Sequence, residues 1–339
     1  MNFDYNEEQQ LLADSVRRLL QKDYDFEARK KIIAGEGWSA AIWAKFAEVG
    51  LTGLPLSPDY GGFGGGAVDL MGVMEAFGEA LVVEPYLPTI LAAQLVARAA
   101  TTQQKQAILP AVAEGRLRMA FAHGTRGVVG APVAGKLVVA SGTDVFLVDR
   151  ADLTIKPHRT LDNMLAADIE LRSAKHEPLQ RAPGLVDEVI DYGTALICAE
   201  AVGAMKFACE ATLEYLKTRK QFGAPIGTFQ ALQHRIVDMY ISYEQAKSMA
   251  CLACSKADSS KDGKDRMRSI SAAKIKIADS ARHISQESVQ LHGGMGMSEE
   301  LKVSHTFRRL TMIAQQFGDA DHHLERFAKY SPSPLGEVR

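Results

Sequence analysis

Three short stretches of this chain hold the residue types that bind or transform a ligand. The first is Arg219-Lys-Gln-Phe-Gly-Ala-Pro-Ile-Gly-Thr-Phe-Gln230, a polar segment punctuated by glycine. An Arg in such a loop can clamp an anionic group with its planar fork. The same residues also suit a helix C-terminus closed by basic side chains and glycine. The second is Gln290-Leu-His-Gly-Gly-Met-Gly296. Glycines there let a ligand approach the backbone, whose N–H groups can meet phosphates; the plainer reading is a helix stop at Gly293. The third is Phe317-Gly-Asp-Ala-Asp-His-His-Leu-Glu-Arg326, with two carboxylates and two imidazoles in five residues. That composition suits a general base, a metal cluster or a solvated helix start. Asp319 or Asp321 makes a reasonable N-cap. Adjacent Asp321 and His322 point apart on a helix, which disfavours a metal set from this stretch alone.

Two other patterns are weaker. Gly61-Gly-Phe-Gly-Gly-Gly66 superficially resembles a dinucleotide turn, which needs a strand before it and a helix after it. Here the preceding Leu51-Thr-Gly-Leu-Pro-Leu-Ser-Pro58 is broken by prolines, so a loop between helices is the better reading. Cys251-Leu-Ala-Cys254 has metal-like spacing but no second Cys or His pair to complete it, and it sits inside a helical pattern. Two small buried side chains are expected there.

The elements that must position these stretches read as helix, then a small β region, then helix. Leu11, Leu12, Val16, Leu19 and Leu20 form an amphipathic stripe. Further helical patterns run through Ile42–Val49, Leu70–Phe77, Leu91–Ala100 and from Thr102. Lys136–Asp149 reads as two strands around Ser-Gly-Thr-Asp, with further strands at Leu153–Lys156 and Ala167–Leu171. Four long helices follow, over Val186–Thr218, Thr228–Ser255, Lys264–Leu291 and Leu301–Tyr330, which favours an antiparallel bundle. The expected division is an all-α domain over 1–117, a β domain over 118–184, a four-helix bundle over 185–330 and a loose tail over 331–339.

Composition excludes several function classes. The 339 residues carry 39 Lys+Arg against 41 Asp+Glu, a net charge of -2, which argues against binding nucleic acid through a broad basic face. No uncharged apolar stretch reaches membrane-spanning length. The first residues lack the basic and apolar regions of a signal peptide. Four cysteines do not make a disulfide scaffold. A cytoplasmic protein is expected.

The three stretches, in this order on one helical region after a small β region, resemble the acyl-CoA dehydrogenase family. The resemblance covers nearly the whole chain. It includes Trp43-Ala-Lys-Phe-Ala-Glu-Val-Gly-Leu-Thr-Gly, Pro58-Asp-Tyr-Gly-Gly-Phe-Gly and Met74-Glu-Ala-Phe-Gly. It implies a mainly α fold: an N-terminal helical domain, a shortened middle β domain and a C-terminal four-helix bundle. It implies FAD as cofactor, an acyl-CoA thioester as substrate and electron-transfer flavoprotein as acceptor, in a β-oxidation type of step. By resemblance, Arg219 contacts the FAD pyrophosphate, Phe222 lies near the adenine end and Gln230 holds FAD across a subunit contact. Gln290, Gly293 and Gly294 belong to the backbone stretch that approaches the pyrophosphate of a neighbouring subunit. An oligomer follows from this.

The family also needs a carboxylate to take the α-proton while hydride leaves Cβ for flavin N5. A backbone N–H and a ribityl hydroxyl hold the thioester carbonyl as the enolate develops. Many members supply a Glu within Tyr-Glu-Gly-Thr. Counting back from Arg326 puts Asp319 at that Glu, Ala320 at the Gly and Asp321, a further cofactor-side position, at the Thr. Asp319 is therefore the expected base, about 1.5 Å shorter than Glu. Asp191 and Glu188 lie near the other position that some members use. The β domain departs from the family: Met119-Ala-Phe-Ala-His-Gly-Thr-Arg-Gly-Val-Val-Gly130 stands where Thr-Glu-Pro and Gly-Ser-Asp signatures are usual. The ending, with Tyr24-Asp-Phe-Glu-Ala-Arg-Lys-Lys, is similar to chains described as small subunits of pimeloyl-CoA-type dehydrogenases. That similarity implies a homo-oligomer or a heteromer with a larger homologue, in which this chain is either a dehydrogenase or a non-catalytic partner subunit.

Overall fold

Helix forms wherever the apolar spacing runs at three and four. The computed structural model describes residues 5–142, 144–171, 175–180 and 183–331. Its first helices are α1 (Glu7–Asp23), α2 (Phe26–Ala34), α3 (Ala40–Glu48), α4 (Ala67–Ala80), α5 (Tyr86–Ala99) and α6 (Thr102–Ala113). Side chains mark several starts. Asp25 accepts the Ala28 N–H at 2.7 Å, Ser39 accepts the Ile42 N–H at 3.3 Å, and Thr101 forms a reciprocal capping box with Gln104. Only α2 has no counterpart among the expected patterns. Residues 61–66 form a loop, preceded by a short turn over Pro58–Tyr60 and no strand, so the dinucleotide reading fails as expected.

Among the described residues the β region holds seven strands in two sheets: β1 (Met119–His123), β2 (Val128–Val129), β3 (Lys136–Ser141), β4 (Asp144–Asp149), β5 (Thr154–Arg159), β6 (Leu165–Glu170) and β7 (His176–Pro178). One sheet runs β1-β3-β4-β7 and the other β2-β6-β5. The expected hairpin over Lys136–Asp149 is β3 and β4, with Val138 opposite Leu147. Pairing is antiparallel throughout except between β1 and β3. Inward residues such as Ala120, Leu137, Val139, Val148 and Ile169 form its core.

The remaining elements are α7 (Leu185–Thr218), a hairpin of β8 (Lys220–Gln221) and β9 (Ala224–Pro225), then α8 (Gln230–Ser259), α9 (Gly263–His292), α10 (Lys302–Gln315) and α11 (Ala320–Tyr330). The last expected helix, Leu301–Tyr330, is thus two. Phe317 and Gly318 take φ of 60° and 106°, which no helix accommodates, and Asp319 starts α11 by accepting the His322 N–H at 2.9 Å. Of the tail over 331–339, residues 332–339 lie outside those described.

The chain divides into two compact units, Met1–Arg17 with Met71–Leu81 and Thr194–Arg339, and Arg18–Leu70 with Val82–Gly193. In the first, α4 and α7 cross backbone to backbone. A Cβ on Gly78 would sit 1.8 Å from the Glu200 carbonyl oxygen, and one on Gly203 would sit 1.8 Å from that of Glu75. Beside this crossing the buried Arg309 Nε donates to Glu200 Oε1 at 2.6 Å, joining α10 to α7. In the second unit, Trp43 Nε1 donates to the Gly115 carbonyl at 2.8 Å, and the Thr89 hydroxyl donates to that of Met119 at 3.0 Å. No helix among the described residues is long and apolar enough to cross a membrane.

Candidate functional site

The bundle gathers the expected ligand-binding residues at one end. The Tyr215 ring, in the last turn of α7, stacks on His292, the last residue of α9, with centroids 4.4 Å apart. One turn earlier the Thr212 and Ser288 hydroxyls lie 2.8 Å apart. His292 Nδ1 donates to the Ser288 carbonyl at 2.8 Å, and burial holds its pKa below the usual imidazole value. These contacts lock the two helix ends together, so the segments that follow them emerge side by side.

From the α7 end comes Arg219. Its N–H donates to the Tyr215 carbonyl and its carbonyl accepts the Ile226 N–H, both at 2.8 Å. The β8–β9 hairpin is pinned by this pair. Phe222 and Gly223 make its turn with φ of 54° and 81°. Phe222 is 92% exposed and meets Phe229 edge-on at 6.1 Å. Gln230 opens α8 on the exposed surface, and Gln233 Nε2 donates back to the Gly227 carbonyl at 2.9 Å. From the α9 end come exposed Gln290, Gly293 and Gly294. Gly293 has φ 61° and ψ -144°, a backbone state that side-chain-bearing residues avoid. A Cβ at Gly293 or Gly294 would meet nothing within 4 Å. A fork-shaped cation and an exposed aromatic thus follow one of the two stacked helix ends and bare backbone follows the other, groups of the kind that can receive an anionic, ring-bearing ligand.

Asp319 and Asp321 are not in this group. They border the turn between α10 and α11, which buried side chains of α9 hold. Lys274 has no exposed surface, and its ammonium donates to the carbonyls of Ile313, Ala314 and Gly318 at 2.8, 3.1 and 3.0 Å. Burial pushes its pKa down to about 8, with Cys198 and Asp319 opposing that shift. His323, also buried, sits between the Ser271 hydroxyl and the Phe317 carbonyl, each at 3.1 Å. Since a carbonyl only accepts, Nε2 carries the proton and Nδ1 accepts from Ser271. Burial first, and the Lys274 charge second, push its pKa down to about 3, so it is neutral. A groove of about 660 Å³ opens beside the turn, walled in part by Ile275, Arg282, Asp319, Asp321, Leu324 and Phe327. Asp319 is exposed and uses Oδ1 as the α11 cap.

His292 lies eighteen positions along α9 from Lys274, about 27 Å at 1.5 Å per residue. The two groups of expected site residues therefore sit at different levels of the bundle. Tyr215, Ser271 and Lys274 were not singled out in the sequence, and His323 was without a role there. Lys274 had a legible signal: it shares the stripe of Ile270, Ile277 and Ile284, where a lysine must find internal partners. Among the described residues no three His, Cys, Asp or Glu side chains gather as a metal set. Burial pushes the Cys251 and Cys254 thiols up, but only Cys254 is the buried side chain expected; Cys251 is half-buried.

Comparison with known proteins agrees with the fold. Residues 6–116 match the acyl-CoA dehydrogenase N-terminal domain and residues 184–331 the acyl-CoA dehydrogenase C-terminal domain. The chain is 31% identical over 313 residues to acyl-CoA dehydrogenase IpdE2 of Mycobacterium tuberculosis, covering 91% of this chain and 92% of that protein. A solved steroid ACAD, Tcur3481-Tcur3483, superposes with a TM-score of 0.88 at 25% identity, over 96% of this chain and 97% of that one. A chain of the ChsE4-ChsE5 complex of Mycobacterium tuberculosis also gives 0.88, at 23% identity, over 98% and 100% of the two chains.

Proposed function

The chain belongs to the acyl-CoA dehydrogenase family, and from that premise we propose that it binds FAD and acts in oxidising the Cα–Cβ bond of an acyl-CoA thioester to the trans-2-enoyl thioester. The observation that carries this reading is the Tyr215–His292 stack, which joins the helix end before Arg219 and Phe222 to the one before the open Gly293-Gly294 backbone. FAD fits that set: a Cβ-free backbone with nothing within 4 Å leaves room for a pyrophosphate. Arg219 would clamp the phosphates, Phe222 would stack near the adenine, and Gln230 and Gln290 would offer amide hydrogen bonds. When bound, FAD supplies the acceptor for the hydride from Cβ.

Asp319 is the proposed base. Its Oδ1 is engaged by the His322 N–H, so Oδ2 is the atom left to take the α-proton. The turn that carries it is held from below by Lys274 and His323, which fixes where the carboxylate stands. Asp321, two residues on and at the same groove, stands apart from the Arg219 segment and is proposed to meet FAD only from another chain. The separation of about 27 Å along α9 supports an oligomer, in which the base of one chain serves a flavin held by the other. Electron-transfer flavoprotein is the proposed acceptor of the electrons.

A second reading has one observation in its favour. Asp319 already serves as a helix cap on the exposed surface, a role that needs no catalysis. This chain would then be the non-catalytic partner of a larger homologue. An absorption spectrum of the purified chain, followed by anaerobic addition of acyl-CoA thioesters, separates the two. A flavin band that bleaches supports the first reading. A flavin band that never bleaches alone, but does so with a co-encoded homologue, supports the second. A protein that stays colourless with added FAD refutes the flavin site in this chain.

A further inference from the structure

Above the bundle's buried floor, the turn over Gln316–Asp319 has two residues with positive φ, Phe317 and Gly318, one of them bulky. Such a turn holds its shape only when its surroundings dictate it. Lys274 does so. Its three N–H bonds reach three carbonyls: Ile313 and Ala314 in the last turn of α10, and Gly318 in the turn itself. A protonated amine has three donors, and all three are used. The positive charge also meets the negative end of the α10 dipole. The carbonyl next to Asp319 is thereby fixed to the end of α10.

We propose that Lys274 is the positioning residue of the candidate base: by holding the α10 terminus and the Gly318 carbonyl together, it sets where the Asp319 carboxylate stands. This rests on the reading of Asp319 as the base. Six titratable or charged groups bear on the site: Cys198 from α7, Lys274 itself on α9, Asp319 at the turn, and His322, His323 and Arg326 from α11. Of these, His323 is neutral and packs on the same turn through the Phe317 carbonyl. Arg326 lies on α11 itself, so the Lys274 ammonium is the charged group of the six that α9 places on this turn. A neutral amine would keep two donors and turn a lone pair toward the third carbonyl.

The test is Lys274→Met, which keeps the chain's length and removes the donors. Amide hydrogen exchange is read first, without substrate. The amides of Gln316, Gly318, His322 and His323 donate to Met312, Gln315 and Asp319 acceptors in this turn. Their protection is expected to fall about tenfold to hundredfold, what bonds to a charged group supply, while α8 and mid-α9 keep theirs. Reduction of bound flavin by an acyl thioester should slow about a hundredfold at unchanged thioester affinity. Unchanged protection at the turn, or a loss spread evenly over the bundle, overturns the proposal. If the variant does not fold, the native protein decides. Protection at these four amides, corrected for intrinsic rates, should drop as pH rises through about 8; no drop overturns the proposal. Asp319→Asn keeps the cap. Normal flavin reduction in that variant would remove the base reading, and the exchange result would still report on Lys274 alone.

Discussion

Glu84 stands before α5 at 2% exposure. Its Oε1 accepts the Ser39 N–H at 3.2 Å, and the Tyr24 hydroxyl, which accepts the Val83 N–H at 3.0 Å, bonds to the same carboxyl. Its Oε2 has no hydrogen-bond partner among the described residues. Burial outweighs these bonds and raises the pKa from 4.5 to about 7. That difference corresponds to roughly 3 kcal/mol. The folded state binds the proton more tightly than the unfolded one, so the contribution is complete below pH 4.5 and lost as pH rises through about 7. Glu84→Gln removes the titration and keeps the shape. The stability of the variant minus that of the native protein should grow by roughly 3 kcal/mol between pH 4.5 and 8. Urea unfolding followed by tryptophan fluorescence reads the right region, because Trp38 and Trp43 lie in the same unit as Glu84. A difference that stays flat with pH would refute the argument, since it would mean that the carboxyl is solvated.

Four substitutions test the first unit. Arg309→Met leaves Glu200 buried and uncompensated and should cost about 3–5 kcal/mol in urea unfolding followed by circular dichroism; a loss below about 1 kcal/mol would show the pair to be solvated. Gly293→Ala meets no neighbour but must hold φ 61° and ψ -144°, so it should destabilise by about 1–3 kcal/mol. Gly294→Ala should leave Tm unchanged and lower the retained flavin, and an unaltered flavin-to-protein ratio would count against an open phosphate site there. Arg219→Lys, at an exposed position, should also spare Tm and raise the Kd for FAD about tenfold, because a point charge replaces a fork. An equal Kd would detach Arg219 from the pyrophosphate.

Legibility in the sequence followed the range of the forces involved. Long helices and the β3–β4 hairpin rest on local spacing and turn chemistry, so they read directly. The short strands β1, β2 and β7 exist only through partners distant in sequence, β3, β6 and β4, and no local pattern marks them. The α10–α11 break reads poorly for a related reason. Its apolar periodicity continues across Gln316–Asp319, and the turn is imposed by Lys274, some forty residues earlier. Asp319 was legible as a cap because capping is local. His323 was not, because its role depends on Ser271 and the Phe317 carbonyl meeting in space. The Arg219 and Gly293 stretches were legible as separate motifs; their meeting needs the Tyr215–His292 stack, a tertiary contact.

The distance between the two groups makes one prediction that neither motif makes alone. Asp319 is tied to the Lys274 level of α9, and Gly293 begins where α9 ends, about 27 Å away. If one reaction needs both, a single bundle cannot supply them, and each site must borrow one group from another chain. Two inactive variants then repair each other. Asp319→Asn still carries Arg219, and Arg219→Ala still carries Asp319. In a mixed two-fold pair, one site holds both defects and the other holds none. Unfolding and refolding the two variants together in equal amounts makes half the pairs mixed, so flavin reduction should return to about a quarter of native. Each variant refolded alone should stay near its own residual rate. Recovery near zero in the mixture, with mixed pairs confirmed by a mass tag, would mean that both groups act within one chain or that Asp319 is not used. Asp319→Asn with native activity would isolate the second of these.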